Sequence, residues 1–497
     1  MDVIILSGLW DWFPTRSLGP YLLRHCLEQR GHKTQIIDHC QEFLADDIVT
    51  FIEHFITDET RCLGISSTFW NDIDNKFWAN DGGMPPNIYK VTKIIKERYP
   101  RVNIVLGGAG VMYINKNLEY VDALVVGESE DIFPELLDHY KRGDTPPHSF
   151  VHSTNNKTYY NKPLYKTYEI ENCTFSFEEH DAIMPGETLP METARGCIFK
   201  CKFCAFPHLG KKKLDYIKPL DRVREQLINN YERWGVTDYM MMDDTFNDSE
   251  YKIDSFLAMV KTLPFKLKYT AYIRADLVHR FQGQDLKLLD SGLEGTIFGI
   301  ESLHPYASTA VGKGWSGKNA REYIPELTHN IWKDQVNVML GLIIGLPRED
   351  EASIRNTLAW LNDNDLHASF AVLHIQNKQT VTNGLDAVSF LSEFDRNYQE
   401  YGYKFDDRGL WYLNEMKYMD AHRLRVEIMP NRRIGRLTPW MSQCVKVLGY
   451  PMTYFINPVM RGHHLMLLPS IVRQKEKFVA AYKRRLLSLD SRNQHVL

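Results

Sequence analysis

The stretch METARGCIFKCKFC, residues 191–204, sets three of the chain's eight cysteines within eight positions, directly after a short apolar run. Residues 191–194 read as a strand. The spacing Cys197-x3-Cys201-x2-Cys204 is too tight for a regular strand or helix, so the cysteines belong to a loop at that strand's carboxyl end. Thiolates are soft ligands suited to zinc or iron–sulfur. Iron–sulfur clusters are normally held by four cysteines, and three ligands on a cubane leave one iron open to a small molecule. Two plainer readings stand beside this one: three structural cysteines, or a zinc site completed by His208. Zinc sites usually pair C-x2–4-C with a second pair elsewhere, and the sequence has no second pair. Cys26, Cys40, Cys62, Cys173 and Cys444 are scattered and read as buried thiols rather than a disulfide framework.

Working outward, the loop opens a βα series. Strands are expected at 191–194, 239–242, 268–273, 295–299, 336–344 and 369–373, with helices between them such as 220–234 and 351–361. Six βα units fit a partial (β/α)6 TIM-like barrel over 189–380, in which catalytic groups lie at strand carboxyl ends. Upstream, residues 1–141 show a second α/β rhythm. Strands are expected at 3–6, 34–37, 62–66, 102–106 and 123–126, and helices at 18–30, 46–55, 88–98 and 132–141. This predicts a Rossmann-like, doubly wound parallel sheet. Residues 142–188 are polar and irregular, a linker with room for one hairpin. Over 381–497 the βα rhythm is lost and Tyr, Trp, Arg and Met are frequent, which marks an extra C-terminal domain of unassigned fold. Trp411-Tyr412 and Tyr418 there fit either a cap over the barrel mouth or ordinary core packing.

The 497 residues are 44% hydrophobic and 25% charged, the balance of a soluble globular protein. A net charge of -4 and a pI near 6.5 exclude a global pull toward nucleic acid or anionic membrane. No stretch approaches the ~20 apolar residues that span a bilayer, and the start, MDVIILSGLW, reads as a first strand rather than a signal peptide. A soluble cytoplasmic protein without a membrane partner is expected. Lys211-Lys212-Lys213, Lys483-Arg484-Arg485 and His463-His464 read as solvated or packed surface, not as nucleic-acid or metal sites.

The cysteine motif after a first barrel strand, with aromatic Phe203 before the last cysteine, resembles the signature of the radical S-adenosylmethionine (SAM) superfamily. The resemblance implies a 4Fe–4S cluster on Cys197, Cys201 and Cys204, whose open iron chelates SAM. Reductive cleavage of SAM then yields a 5′-deoxyadenosyl radical that takes a hydrogen atom from substrate. It further implies that Phe203 lies near the adenine. Asp243 or Asp244, in MDDTF, would accept from the SAM ammonium group, and Arg274, in YIRAD, would pair with its carboxylate. Glu301, in GIES, would face the active site, and Gly341, Ile343 and Gly345, in GLIIG, would border the adenine. Read without the family, an aspartate of MDDTF is a helix N-cap, and Arg274 is an ion-pair partner of Asp276.

The N-terminal region resembles the cobalamin-binding-like domain that precedes many such barrels. The residues that carry the likeness are Ser17, Gly19, Ser66, Ser67, Thr68, Gly107, Gly108, Gly127 and Glu128. Hydroxyls and close-packed glycines after parallel strands suit a nucleotide tail. One departure stands out: the loop after the first strand lacks the D-x-H-x-x-G histidine that ligates cobalt, and carries Trp10, Trp12 and Phe13 instead. His39 follows the second strand, and residues 71–87 lengthen the gap to the Gly-Gly loop. Bound cobalamin and a Rossmann-like domain without ligand both remain open. The first implies methyl transfer to an unactivated carbon; the second, an oxidoreductase, a cyclase or a methylthiotransferase-like enzyme. The last would want a second three-cysteine set, which the chain lacks. A non-catalytic cobalamin or cluster sensor would not need Asp243, Arg274 and the Gly341–Gly345 pattern together. The expected partners are a small-molecule substrate and an electron donor such as flavodoxin or ferredoxin.

Overall fold

The computed structural model describes residues 1–8, 15–68, 84, 86–108, 111, 118–144, 157–160, 174–184, 187–204, 216–375, 391–428 and 468–489. Two six-stranded, all-parallel sheets organise it. The first runs in the order β2-β1-β3-β4-β5-β6, from β1 (Val3–Leu6), β2 (Thr34–Ile37), β3 (Cys62–Ser66), β4 (Asn103–Gly107), β5 (Ala123–Val126) and β6 (Lys157–Tyr160). Its helices are α1 (Leu18–Gln29), α2 (Ala45–Phe55), α3 (Pro86–Arg98) and α4 (Ile132–Arg142). Strands β1 and β2 are buried at every position, which is why they read as unbroken apolar runs rather than alternating ones. The strand order reverses between β1 and β3. Ligands on such sheets lie outside the carboxyl ends of the strands at that reversal.

Residues 142–188, read as a linker, do more than connect. Among the described residues of that stretch the one strand is β6, paired in parallel with β5 from Ala123↔Lys157 to Val126↔Tyr160. Phe175 and Phe177 follow as buried core residues, and the Arg233 guanidinium donates to Phe177 O at 2.8 Å. Backbone pairing and burial of two rings across domains override the polar local composition.

The second sheet runs β12-β11-β10-β9-β8-β7, each strand beside its sequence neighbour, as a partial barrel requires. It comprises β7 (Leu189–Met191), β8 (Asp238–Met241), β9 (Lys268–Ile273), β10 (Leu293–Glu301), β11 (Asn337–Ile344) and β12 (His367–Val372). Its helices are α5 (Leu220–Trp234), α6 (Glu250–Val260), α7 (Ala275–Arg280), α8 (Gln284–Asp290), α9 (Pro305–Ala310), α10 (Gly317–Pro325) and α11 (Glu351–Asp363). The first strand lies earlier than 191–194; Ala194 instead makes an antiparallel bridge to Ile217. Along β9, Tyr269, Ala271 and Ile273 face the helices and are buried, while Lys268, Thr270 and Tyr272 face the other way. Met240 and Ile297, backed by Met242, Tyr272 and Met339, form a small separate cluster on that inner face.

The described residues after 390 split between the two sheets. Short helix α12 (Glu393–Arg396), the pair β13 (Lys404–Phe405) and β14 (Trp411–Tyr412), and α13 (Tyr418–Ile428) pack on the barrel. Trp411 is 2% exposed and its indole donates to Leu373 O at 2.7 Å, so it is core rather than a substrate cap. Helix α14 (Leu468–Ser488) returns to the first sheet: Tyr482 and Leu486 join its core, and the Asp38 amide donates to the Tyr482 hydroxyl at 3.1 Å. No helix among the described residues is long and apolar enough to cross a membrane.

Candidate active site at the cluster loop

Cys197, Cys201 and Cys204 stand in the loop after β7, at the barrel's carboxyl end. The loop is fixed by its own backbone: the Lys202 amide donates to Val311 O at 3.0 Å, the Phe394 amide to Lys202 O at 3.0 Å, and the Cys204 amide to Cys201 O at 3.0 Å. Cys197 is 7% exposed, its sulfur 3.4 Å from the Thr245 hydroxyl, and Cys201 and Cys204 are half-buried. Burial pushes the Cys197 thiol up from its ordinary value, and the Thr245 contact pulls it back. The Arg274 Nη1 lies 3.9 Å from the Cys201 sulfur, and its guanidinium stands 3.8 Å from the centroid of the Phe199 ring. Three thiols, one cation and one hydroxyl at a loop mouth suit an anionic, sulfur-ligated cluster. His208, the fourth ligand of the zinc reading, lies outside the described residues. Among those residues no three His, Cys, Asp or Glu side chains gather as for a single ion.

Arg274 is already engaged. Its Nε and Nη2 donate to the two oxygens of Asp276 at 2.9 and 2.7 Å, and Nη2 also donates to Lys313 O at 3.0 Å. The plain ion-pair reading of YIRAD therefore describes its carboxylate partner here. Glu301 ends β10 at a register shift, with φ of +65°, a strained backbone for a non-glycine residue. Its Oε1 meets the Lys313 ammonium at 2.6 Å, which also donates to Gly299 O at 2.5 Å and stands 5.7 Å from the Phe203 ring centroid. Lys313 thus joins Glu301, Phe203 and Arg274. Sequence reasoning missed it, although its flanking glycines, both at positive φ, marked a tight turn 12 residues after Glu301.

The aspartates of MDDTF part company. Asp243 is 1% exposed; it accepts from the Thr193 amide at 2.7 Å and from the Thr193 hydroxyl, and pairs with the buried Lys252 ammonium at 2.7 Å. Its bonds to Thr193 and Lys252 hold β7 against β8, and it does not cap a helix. Asp244 is half-exposed beside it. The GLIIG glycines divide likewise. Gly341 and Ile343 are partly exposed on the inner face of β11. Gly345, at φ +98°, has the Trp411 ring where a β-carbon would sit, 2.3 Å away. It is glycine to admit that ring.

The adjoining Glu349 accepts from the Ser302 hydroxyl at 2.5 Å and from the Gly345 and Leu346 amides at 3.2 and 3.1 Å. Burial outweighs these donors and pushes its carboxyl up from 4.5 to about 8. The folded state therefore keeps this proton where the unfolded chain has lost it. The associated stability is complete below pH 4.5 and drains away as pH rises toward 8. Glu349→Gln should remove that slope: the wild-type melting temperature, taken relative to the variant, should fall steadily from pH 5 to pH 8. A constant difference would show that Glu349 is ionised throughout.

In the first sheet, the loops after β3 and β4 come together. The Ser67 amide and hydroxyl both donate to Gly107 O, at 2.8 and 2.7 Å. Gly108 has φ of +91°, and a β-carbon there would lie 2.4 Å from the Thr68 hydroxyl. Ser66 ends β3. Ser17, buried, and Gly19, exposed, open α1 after β1. Trp10, Trp12, Phe13 and residues 71–83 lie outside the described residues. Gly127 and Glu128 take another course. The loop after β5 reaches the barrel, where Arg195 pairs with Glu130 at 2.7 Å, Glu128 at 3.6 Å and its own neighbour Glu192 at 3.2 Å. Arg195 stands two residues before Cys197, so a carboxyl-end loop of the first sheet touches the cysteine loop of the second.

Residues 191–361 match the model of the Radical SAM superfamily. These residues form a radical SAM domain. The structure of the radical S-adenosylmethionine methyltransferase TsrM from Kitasatospora setae, with cobalamin and a [4Fe-4S] cluster bound, matches with a TM-score of 0.53. The identity is 16%, over 75% of this chain and 72% of that one. The cobalamin-dependent S-adenosylmethionine radical enzyme OxsB, with aqua-cobalamin and S-adenosylmethionine bound, matches with a TM-score of 0.55. There the identity is 15%, over 81% of this chain and 56% of that one, so this chain spans little more than half of OxsB. At such identities the likeness is one of fold, and it extends beyond the radical SAM domain to most of the chain. No curated protein matches in sequence.

Proposed function

We propose that this chain is a cobalamin-dependent radical SAM methyltransferase acting on an unactivated carbon of a small molecule. The observation that carries the reading is the grip of Glu128 and Glu130, at the carboxyl edge of the first sheet, on Arg195 beside the cluster cysteines. It brings that sheet edge to the cysteine loop, which supports one site shared by the two sheets. Cys197, Cys201 and Cys204 would hold a 4Fe–4S cluster, Ser66–Thr68 and Gly107-Gly108 the cobalamin tail. When bound, these groups supply the electron that cleaves SAM and the methyl group that is transferred, the electron coming from a donor such as flavodoxin or ferredoxin.

The chain's own residues prepare the site. Arg274, near Cys201, offsets negative charge on the thiolates while Asp276 holds it in place. Lys313 and Glu301 present a paired ammonium and carboxylate beside Phe203, suited to a zwitterionic amino-acid moiety such as that of SAM. The half-exposed Asp244 of MDDTF would meet the ammonium group. The Met240, Met242 and Met339 cluster with Ile297 gives the barrel an apolar floor.

A second reading is a cobalamin-free radical SAM oxidoreductase. It is favoured by the filled space at the carboxyl ends of β1 and β2, where Arg16 is wholly buried and Phe478 and Tyr482 of α14 pack on His39. Anaerobic purification with cobalamin supplied, followed by metal analysis and reduction with SAM, separates the two. We expect iron, sulfide and cobalt, with 5′-deoxyadenosine formed. Iron and sulfide without cobalt would select the second reading. Zinc in place of iron, or no 5′-deoxyadenosine with any reductant, would remove both.

A further inference from the structure

Thr245 follows β8 in the loop MDDTF, and nothing in its local sequence marks it for chemistry. In the fold it is 7% exposed, and its hydroxyl oxygen lies 3.4 Å from the sulfur of Cys197, itself 7% exposed. The position is tightly held. The Lys252 ammonium, 1% exposed, donates to Thr245 O at 3.2 Å and is anchored by Asp243 at 2.7 Å; the next amide, of Phe246, donates to Tyr272 O at 2.8 Å. Four residues, from α6, β9 and the loop after β8, thus hold the backbone that sets one hydroxyl against one sulfur.

We propose that Thr245 is a positioning residue that sets the reduction potential of the cluster through a hydrogen bond to the Cys197 thiolate. The inference rests on the reading of the three cysteines as cluster ligands. A ligating thiolate has no proton to give, so the hydroxyl is the donor. One-electron reduction adds negative charge that is shared by the cluster and its sulfurs. A donor on a sulfur stabilises the reduced form more than the oxidised one and raises the potential. The contact on Cys201 differs in kind. The Arg274 guanidinium, 3.9 Å from the Cys201 sulfur and shared with Asp276, acts there as a charge rather than as a close hydrogen-bond donor, and Cys201 is half-buried. At Cys197 both partners are dry, and a fixed dipole there acts in a low dielectric.

Thr245→Val keeps the packing volume and removes the donor; Thr245→Ser keeps the donor. The measurement is a dye-mediated potentiometric titration of the anaerobically reconstituted full chain, without SAM, using a low-potential metal reductant. The reduced cluster is followed by electron paramagnetic resonance, with iron and sulfide determined on the same samples. T245V should need a lower potential, with the reduced-to-oxidised ratio at fixed potential falling about tenfold, or ~59 mV for one electron. T245S should titrate with the wild type. Should T245V fail to fold, Thr245→Ala carries the same expectation. A donor-less variant with full iron and sulfide that titrates with the wild type would overturn the inference. So would a shift shared equally by T245S. A wild-type chain that assembles no iron and sulfide would instead overturn the cluster reading beneath it.

Discussion

Cys201→Ala should abolish the visible absorbance of the reconstituted protein and its ability to form 5′-deoxyadenosine, while leaving the far-ultraviolet circular dichroism unchanged. Two thiolates do not hold a cubane that three ligands already leave open at one corner, so the loss should be nearly complete rather than graded. The fold should tolerate the change because Cys201 is half-buried, and the loop is held by main-chain bonds from Lys202 to Val311 and from Phe394 to Lys202. None of these bonds involves the thiol. Retained absorbance would show that Cys201 is not a ligand. Loss of circular dichroism along with absorbance would show that the thiol carries structure as well.

Arg16→Met should be among the most damaging single substitutions to stability. The Arg16 side chain is fully buried and donates to Glu187 at 2.6 and 3.0 Å, to Asp38 at 3.0 Å, to the Tyr21 hydroxyl at 3.1 Å, and to the carbonyls of Asp181 and Ala182 at 2.8 and 3.2 Å. Even with Arg16 present, burial pushes the Asp38 carboxyl up to about 6. Removing the cation strands two buried carboxylates, which costs about 3–5 kcal/mol in comparable buried pairs. Denaturant unfolding at pH 7 measures it. A loss below about 1 kcal/mol would mean that Glu187 and Asp38 find protons or water at little expense. The same side chain joins the loop after β1 to the segment entering β7, so its loss should also loosen the first sheet from the barrel.

Much of this architecture was legible in the residues themselves. Strand 268–273 matches β9 residue for residue, and the other barrel strands differ by a few positions at their ends. The cysteine loop follows its strand as its spacing required. The candidate site was legible as a set of strand ends, because a parallel sheet carries its chemistry there, but not as a set of roles. Asp243 and Asp244 are adjacent and chemically identical, and nothing local says that Lys252 and Thr193 take the first. Nor does anything local to Gly345 say that the Trp411 ring lies against it.

The sequence by itself determined the two βα series, their order and the thiolate loop, since apolar periodicity, glycine stops and short ligand spacing act over a few residues. Only the tertiary structure decided that α14 closes on β2, that β6 extends the first sheet, that Arg195 is gripped by Glu128 and Glu130, and that Lys313 meets Glu301. The Asp38–Tyr482 contact spans 444 positions and the Arg195–Glu130 pair 65. Whether two such charges or dipoles meet depends on how whole layers pack, and no pattern along the chain encodes the dry surroundings that give those meetings their strength.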